Sequence, residues 1–367
     1  MRICFIGDAR SVHTQRWVLW FAEHHDVALI ATQPDPALAE HELAGLPATS
    51  RVPGTRLAHS AMLTRRAVRA YRPDVVHAHY INEAGWLAAA SGARPFVISA
   101  WGSDLYRAPQ ESAVARRLNP WAARRADFVT CDSEDQARLL RAWGVPSDRV
   151  GVIGWGVDRS EFNPEVDGGA MRDTLDIPRE ADVILSPRQW LANSNIEAIV
   201  AAHALVDGEP HLVLKRLPRH EPDGGRAVLA AVAASPARDR VHLVEEIDAA
   251  ALPSLYAAAD VVVSLCVTDG TPMSVLEAMA TGRAVVAFRN ESLAEWVAPP
   301  GGRLVSSTAP GEVAAAISGF LNGSAGDREA VVTHNVETVA ERADRAAEMR
   351  RMDAVYARLG SGRAAVA

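Results

Sequence analysis

The stretch DVVVSLCVTDGTPMSVLEAMATGRAVVAF, Asp260 to Phe288, decides how the chain is read. Val261 to Val267 is a short run rich in branched apolar residues and bounded by turn formers, which suits a strand buried on both faces. Asp269 and Gly270 supply a turn. The Thr271 hydroxyl is placed to cap a helix, and Pro272 suits the first helical position, where an N–H would have no intrahelical partner anyway. The spacing predicts a helix that runs through Glu277 and stops near Gly282. Its first turn would offer the N–H groups of Met273 and Ser274 at the carboxyl end of a sheet, where orphan donors and the helix dipole together favour an anion. Glu277 sits one turn deeper, a poor neighbour for phosphate but a good acceptor for two vicinal hydroxyls. The pattern fits a phosphate that carries a sugar on each side.

The rest of the chain supplies a setting for such a loop. With 367 residues, two domains are expected. Strand patterns at Arg2–Ile6, Val27–Thr32, Val75–His79, Phe96–Ala100, Phe128–Cys131 and Val150–Ile153 alternate with helical stretches. The second half repeats the scheme at Val183–Ser186, His211–Lys215, Val241–Val244, Val261–Leu265 and Ala284–Phe288. This alternation predicts an α/β protein of two Rossmann-like, doubly wound parallel sheets, with ligands at the carboxyl ends of the strands in a central cleft. GWGVDRSEFNP, Gly154 to Pro164, breaks the periodicity and marks the boundary.

Composition narrows the class. A formal charge of −7 with no basic tail argues against a nucleic-acid partner. Cys4, Cys131 and Cys266 lie apart inside apolar runs and read as buried thiols of a reducing compartment. No apolar stretch approaches the roughly 20 residues of a spanning helix, and Met1-Arg2 leads straight into a strand, so a cytoplasmic protein is expected. The basic stretch Arg56 to Arg72 reads as a solvated helix face more readily than as a membrane contact. Gly7 to Thr14 lacks the G-x-G-x-x-G fingerprint, which weighs against a nicotinamide oxidoreductase. Within it Arg10, Ser11 and His13 are candidates for ligand contacts, with Ser11 equally suited to capping a helix. Alternation sends His77 and His79 to one face of their strand. No third metal ligand accompanies them, and His79, at the strand's end, is the candidate contact to sugar or acceptor.

Asp269, seven intervening residues, Glu277 and the following AMATGRAVVA resemble the E-x7-E motif of retaining nucleotide-sugar glycosyltransferases of family four, which have the GT-B fold. The resemblance implies that Glu277 binds the donor ribose and Asp269 reaches the transferred sugar, while the loop Gly270, Thr271, Pro272, Met273 and Ser274 holds sugar and diphosphate. Asp269 is one methylene shorter than the glutamate of the motif. Gly156 to Pro164 resembles the family's G-V-D-x-x-x-F-x-P linker. The implied organisation is an acceptor-side domain over 1–155, a nucleotide-sugar domain over 156–345, and a helix over 346–367 that crosses back and ends in a frayed tail.

Further site residues follow from the same resemblance. Arg188 takes the place of the arginine after the first strand of the second domain, whereas Asn193 stands at the usual lysine. Lys215 is the substitute cation, and the adjoining Arg216 reads as a surface charge. Glu245, Glu246 and Ile247 fall where the nucleotide base is held. Trp101 occupies the position of a histidine beside the transferred sugar; it can stack on a sugar or a flat acceptor but cannot exchange protons, which leaves Asp104 as the nearest acid. The implied activity is transfer of a hexose from a UDP or GDP sugar to a small soluble acceptor, with retention and without metal or cofactor, as in natural-product biosynthesis. Arg188, Lys215 and Asp269 would serve the catalytic step. A surface-glycan or lipid glycosyltransferase, a nucleotide-sugar epimerase and a non-catalytic sugar-nucleotide binder are the alternatives. Oligomeric state is left open.

Overall fold

Short runs of branched and aromatic residues form the strands of two separate sheets, every strand pair parallel. The computed structural model describes residues 1–45, 55–216, 225–245, 247–268 and 270–364. Residues 1–155 together with 348–367 form one unit, and 156–347 form the other.

In the first unit β1 (Arg2–Asp8), β2 (Asp26–Gln33), β3 (Glu42–Gly45), β4 (Val75–His79), β5 (Phe96–Ser99), β6 (Phe128–Cys131) and β7 (Val150–Val152) lie in the order β3-β2-β1-β4-β5-β6-β7. In the second, β8 (Val183–Ser186), β9 (His211–Arg216), β10 (Val241–Glu245), β11 (Val261–Ser264), β12 (Ala284–Phe288) and β13 (Gly302–Val305) are ordered β10-β9-β8-β11-β12-β13. The middle strands are buried throughout, as parallel strands covered on both faces should be. These are the two doubly wound sheets that the alternation predicts. β3 and β13 escape that reading because ELAG and GRLV carry no apolar run. Each sheet reverses its strand order once, between β1 and β4 and between β8 and β11. Such a switch point opens a crevice at the carboxyl ends, where open α/β sheets bind ligands.

The last helix, Arg345–Ala364, belongs to the first unit from Glu348 onward. Tyr356 is fully buried there and bonds through its hydroxyl to His77 Nδ1. Glu348 accepts from the Gly154 N–H (2.8 Å), and Arg351 donates to the Val152 carbonyl (2.8 Å).

The G-V-D segment acquires a physical reason within the second unit. Val157 is buried and exchanges backbone hydrogen bonds with Ala343 (2.7 Å) and Arg345 (3.0 Å), while Asp158 pairs with the Arg345 guanidinium at 3.0 Å. Gly156 has φ +65°, and a Cβ there would lie 2.3 Å from the Arg345 Cα. Only glycine lets the two backbones meet. Gly156→Ala is therefore expected to destabilise the second unit by about 2–3 kcal/mol, read as a lowered urea midpoint; an unchanged midpoint contradicts the contact.

Candidate active site

At the carboxyl ends of β8, β9 and β11 the second unit gathers most of the residues singled out for the donor. The helix after β11 spans Met273–Ala280. It starts one residue later than the sequence suggests: Pro272 stands at the cap position without a side-chain cap, and the Thr271 hydroxyl accepts from the Trp296 indole N–H (3.2 Å). Thr271 is thus corrected from a helix cap to a partner of Trp296. Among the described residues, the N–H groups of Met273 and Ser274 have no backbone acceptor. Arg188, half-buried after β8, donates to Ser274 Oγ at 3.2 Å and so stands against that first turn. Guanidinium, helix dipole and orphan N–H groups converge on one place, a natural anion site.

Glu277 is 6% exposed on the deep side of the helix, and Tyr256 donates its hydroxyl to Glu277 Oε2 at 3.0 Å. The other cation is Lys215, the chain's single lysine. It is half-buried at the end of β9, and burial lowers its pKa while the nearby Glu277 carboxylate holds it up. Among the described residues it forms no ion pair. Alternation turns Arg216 to the opposite face of the sheet. There it is 8% exposed, stacks on Trp190 and bonds Glu245 at 2.8 Å, which corrects its reading as a surface charge.

Asn193 has a structural task. Its amide donates to Cys266 Sγ and the Thr268 carbonyl, both at 3.3 Å, and its carbonyl accepts from the Val267 N–H at 3.1 Å. It ties the loop after β8 to the loop after β11. Gly270 is buried, and Ile247 packs partly buried against the core beneath the helix. Asp269 and Glu246 lie outside the described residues. Tyr256 belongs to no recognisable spacing and escapes the sequence reading; Asn193, found by spacing as the residue at the lysine position, owes its structural task to partners distant in sequence.

The first unit assembles a second group at the carboxyl ends of β1, β4, β5 and β7. Ser11 precedes the helix Val12–Ala22 and makes no side-chain cap bond. Trp101 and Trp155 are half-exposed, with centroids 4.6 Å apart, and Trp155 is pinned through its indole N–H to Asp132 Oδ1 at 2.8 Å. His13 meets Trp155 edge to face, and His79 packs against Trp101 at 5.4 Å. Asp104 is fully buried and accepts from the N–H groups of Ile81 (2.9 Å) and Trp101 (3.0 Å), a brace for the loop that carries the indole. Burial outweighs those bonds and pushes its carboxyl up to about 6. His77 bonds Ser99 Oγ at 2.8 Å, whereas His13 Nδ1 and His79 Nε2 are buried without partners. Burial lowers all three imidazoles, His79 to about 3. Among the described residues no group of three or more His, Cys, Asp or Glu is placed to hold a metal, and no helix is long and apolar enough to cross a membrane.

Residues 2–133 match the family model described as glycosyl transferase 4-like, and residues 211–323 match the model for glycosyl transferases group 1. Among curated proteins, D-inositol 3-phosphate glycosyltransferase 2 of Catenulispora acidiphila is 26% identical over 68% of this chain and 62% of its own length. The MMP alpha-(1->4)-mannosyltransferase of Mycolicibacterium hassiacum is 28% identical over 58% of this chain and 55% of its own. The chain thus spans less than two thirds of these relatives. Among solved structures, sucrose-phosphate synthase from Thermosynechococcus elongatus superposes with a TM-score of 0.84 at 20% identity, over 99% of this chain and 100% of that one. Anabaena HepE in complex with UDP-glucose gives 0.82 at 17% identity, over 98% and 100%. Both show the same GT-B fold.

The buried histidines give a testable pH dependence. An imidazole whose folded pKa lies below its ordinary 6.5 stabilises the fold above that pH and loses the contribution as pH falls towards the folded value. The stability gap between the protein and His79→Gln should therefore narrow as pH drops below 6.5, by up to about 1.4 kcal/mol per pH unit. Urea midpoints measure it, and a gap constant with pH contradicts the assignment.

Proposed function

Because the chain belongs to the family-four glycosyltransferases of GT-B fold, we propose that it transfers a sugar from a nucleoside diphosphate to a small soluble acceptor. The second unit holds the donor and the first unit the acceptor. The observation that carries this reading is the pairing of an anion-binding helix terminus with a buried carboxylate one turn deeper on the same helix. The diphosphate lies at the Met273 and Ser274 N–H groups beside Arg188. Glu277, oriented by Tyr256, accepts from the ribose hydroxyls.

As the glycosidic bond breaks, negative charge gathers on the departing diphosphate. Arg188, Lys215 and the first-turn N–H groups stabilise it, and fixed dipoles in a partly desolvated site do this at little reorganisation cost. Asp269 contacts the sugar being moved. Trp101, standing where the family carries a histidine, cannot take a proton, so the acceptor proton passes to the leaving phosphate on the same face as attack. That course retains the anomeric configuration and assigns no step to a metal. UDP and GDP sugars are the donors to test; the HepE complexes with UDP and UDP-glucose support the first. The names of the relatives add D-inositol 3-phosphate to the acceptors worth assaying.

Glu277→Ala is expected to weaken donor binding roughly tenfold or more, since a hydrogen bond to a charged group contributes about 1.5–3 kcal/mol. Calorimetric titration with UDP and GDP sugars measures it, and unchanged affinity refutes the ribose role. Lys215→Met should lower kcat by about 10²-fold while leaving KM for the donor within a few-fold, because its charge acts on the departing group. Consumption of donor without acceptor, giving an isomeric nucleotide sugar, would point to an epimerase instead.

A further inference from the structure

The first unit carries a cluster whose chemistry bears on the acceptor. Four aromatic rings meet at the carboxyl ends of β1, β4, β5 and β7: His13, His79, Trp101 and Trp155. The indoles are half-exposed, whereas the imidazole nitrogens lie beneath the surface. Trp155 is a fixed wall, held by Asp132. Trp101 makes no hydrogen bond through its indole nitrogen among the described residues and is held by ring contacts with His13, His79, Tyr80 and Trp155.

Below them sit two orphans. His79 is 2% exposed and its Nε2 has no partner, and on the partly buried His13 the Nδ1 atom is likewise buried and unpartnered. Buried polar atoms are seldom left unpaired, and such an atom in a native protein points to a missing partner. A neutral imidazole nitrogen suits a hydroxyl, since it can either give or take one hydrogen bond. Held neutral by burial, the two imidazoles bring no positive charge to offset the desolvation of an anion. Among the described residues, Arg10 is closed on Asp8 (2.8 Å), and Arg16, on the same helix as His13, acts on that imidazole through its charge.

Resting on the glycosyltransferase reading, we propose that the acceptor is an uncharged ring compound. Its apolar face lies against Trp155 and Trp101, and its edge hydroxyls turn toward His79 and His13. Sugars, cyclitols and phenols share that chemistry: a flat or C–H-bearing face, edged by hydroxyls, stacks well on indole. Trp101 and Trp155 are then specificity-determining residues, and Trp155 has no counterpart among the positions singled out in the sequence.

The test uses matched acceptor pairs with the whole 367-residue chain: myo-inositol against its 3-phosphate, glucose against its 6-phosphate, and a phenol against its phosphate ester. Binding is followed by calorimetry and transfer by release of nucleoside diphosphate. The uncharged member of at least one pair should bind or react, and better than its phosphate ester. Trp155→Ala and Trp101→Ala should each raise its Kd or KM roughly tenfold, Trp155→Phe should restore most of the loss, and Arg16→Ala should leave it within about twofold. Better use of a phosphorylated member, saturation that survives removal of both indoles, or no binding of any uncharged ring at its solubility limit overturns the proposal. Nucleotide-sugar titration of the same variants separates the two readings: intact donor binding with the wrong acceptor preference rejects this inference alone, whereas absent donor binding rejects the function beneath it.

Discussion

A carboxylate taken out of water is tolerated only where partners replace its hydration, and Glu277 is such a group. It is nearly buried, it receives the Tyr256 hydroxyl, and it acts on a lysine that burial discourages from carrying charge. A buried charge is weak evidence for stability. The place of Glu277 beside a helix terminus suited to an anion has a functional reason under the proposed reading, in which the carboxylate accepts from a ribose. The site therefore depends on one short helix, Met273–Ala280, being set with its first turn at the sheet edge and its fifth residue facing inward.

Several contacts fix that setting. Strands β8 and β11 are neighbours across the switch point, and Asn193 joins the loops that leave them. Arg188 reaches the first turn from one side, and Trp296 reaches Thr271 from the other. Gly156 lets the segment that opens the unit pass against the Arg345 backbone. Each tie joins segments far apart in sequence, so the site's geometry is a product of the parallel topology and not of the motif alone. The first unit uses the same architectural device differently: at its own switch point the loops bring together the rings of His13, His79, Trp101 and Trp155.

Much of this was legible in the chain. Parallel strands buried on both faces announce themselves as branched runs, and the strand and helix around Asp269 to Glu277 were readable from turn chemistry and spacing. The short edge strands β3 and β13 were not, since neither has an apolar run, and edge strands need none. Thr271 was misread because local sequence favours a cap there, whereas a tryptophan 25 residues on supplies a tertiary partner. Arg216 was misread because an arginine at a strand's end is usually solvated; the stack on Trp190 comes from the loop after β8 and the pair with Glu245 from β10. Tyr256 and Trp155 gave no signal, being single aromatics in unremarkable surroundings.

The central claim is that the nucleotide diphosphate lies between the Met273 helix terminus and Lys215. The composition offers a direct way to watch it, because the chain has one lysine. A sample labelled with carbon-13 at the lysine ε-carbon gives a single side-chain resonance that needs no assignment. Titration with a nucleoside diphosphate should move that resonance saturably, with the same midpoint as the calorimetric binding curve. A nucleotide that binds by calorimetry yet leaves the lysine signal where it was would place the ligand elsewhere and contradict the account.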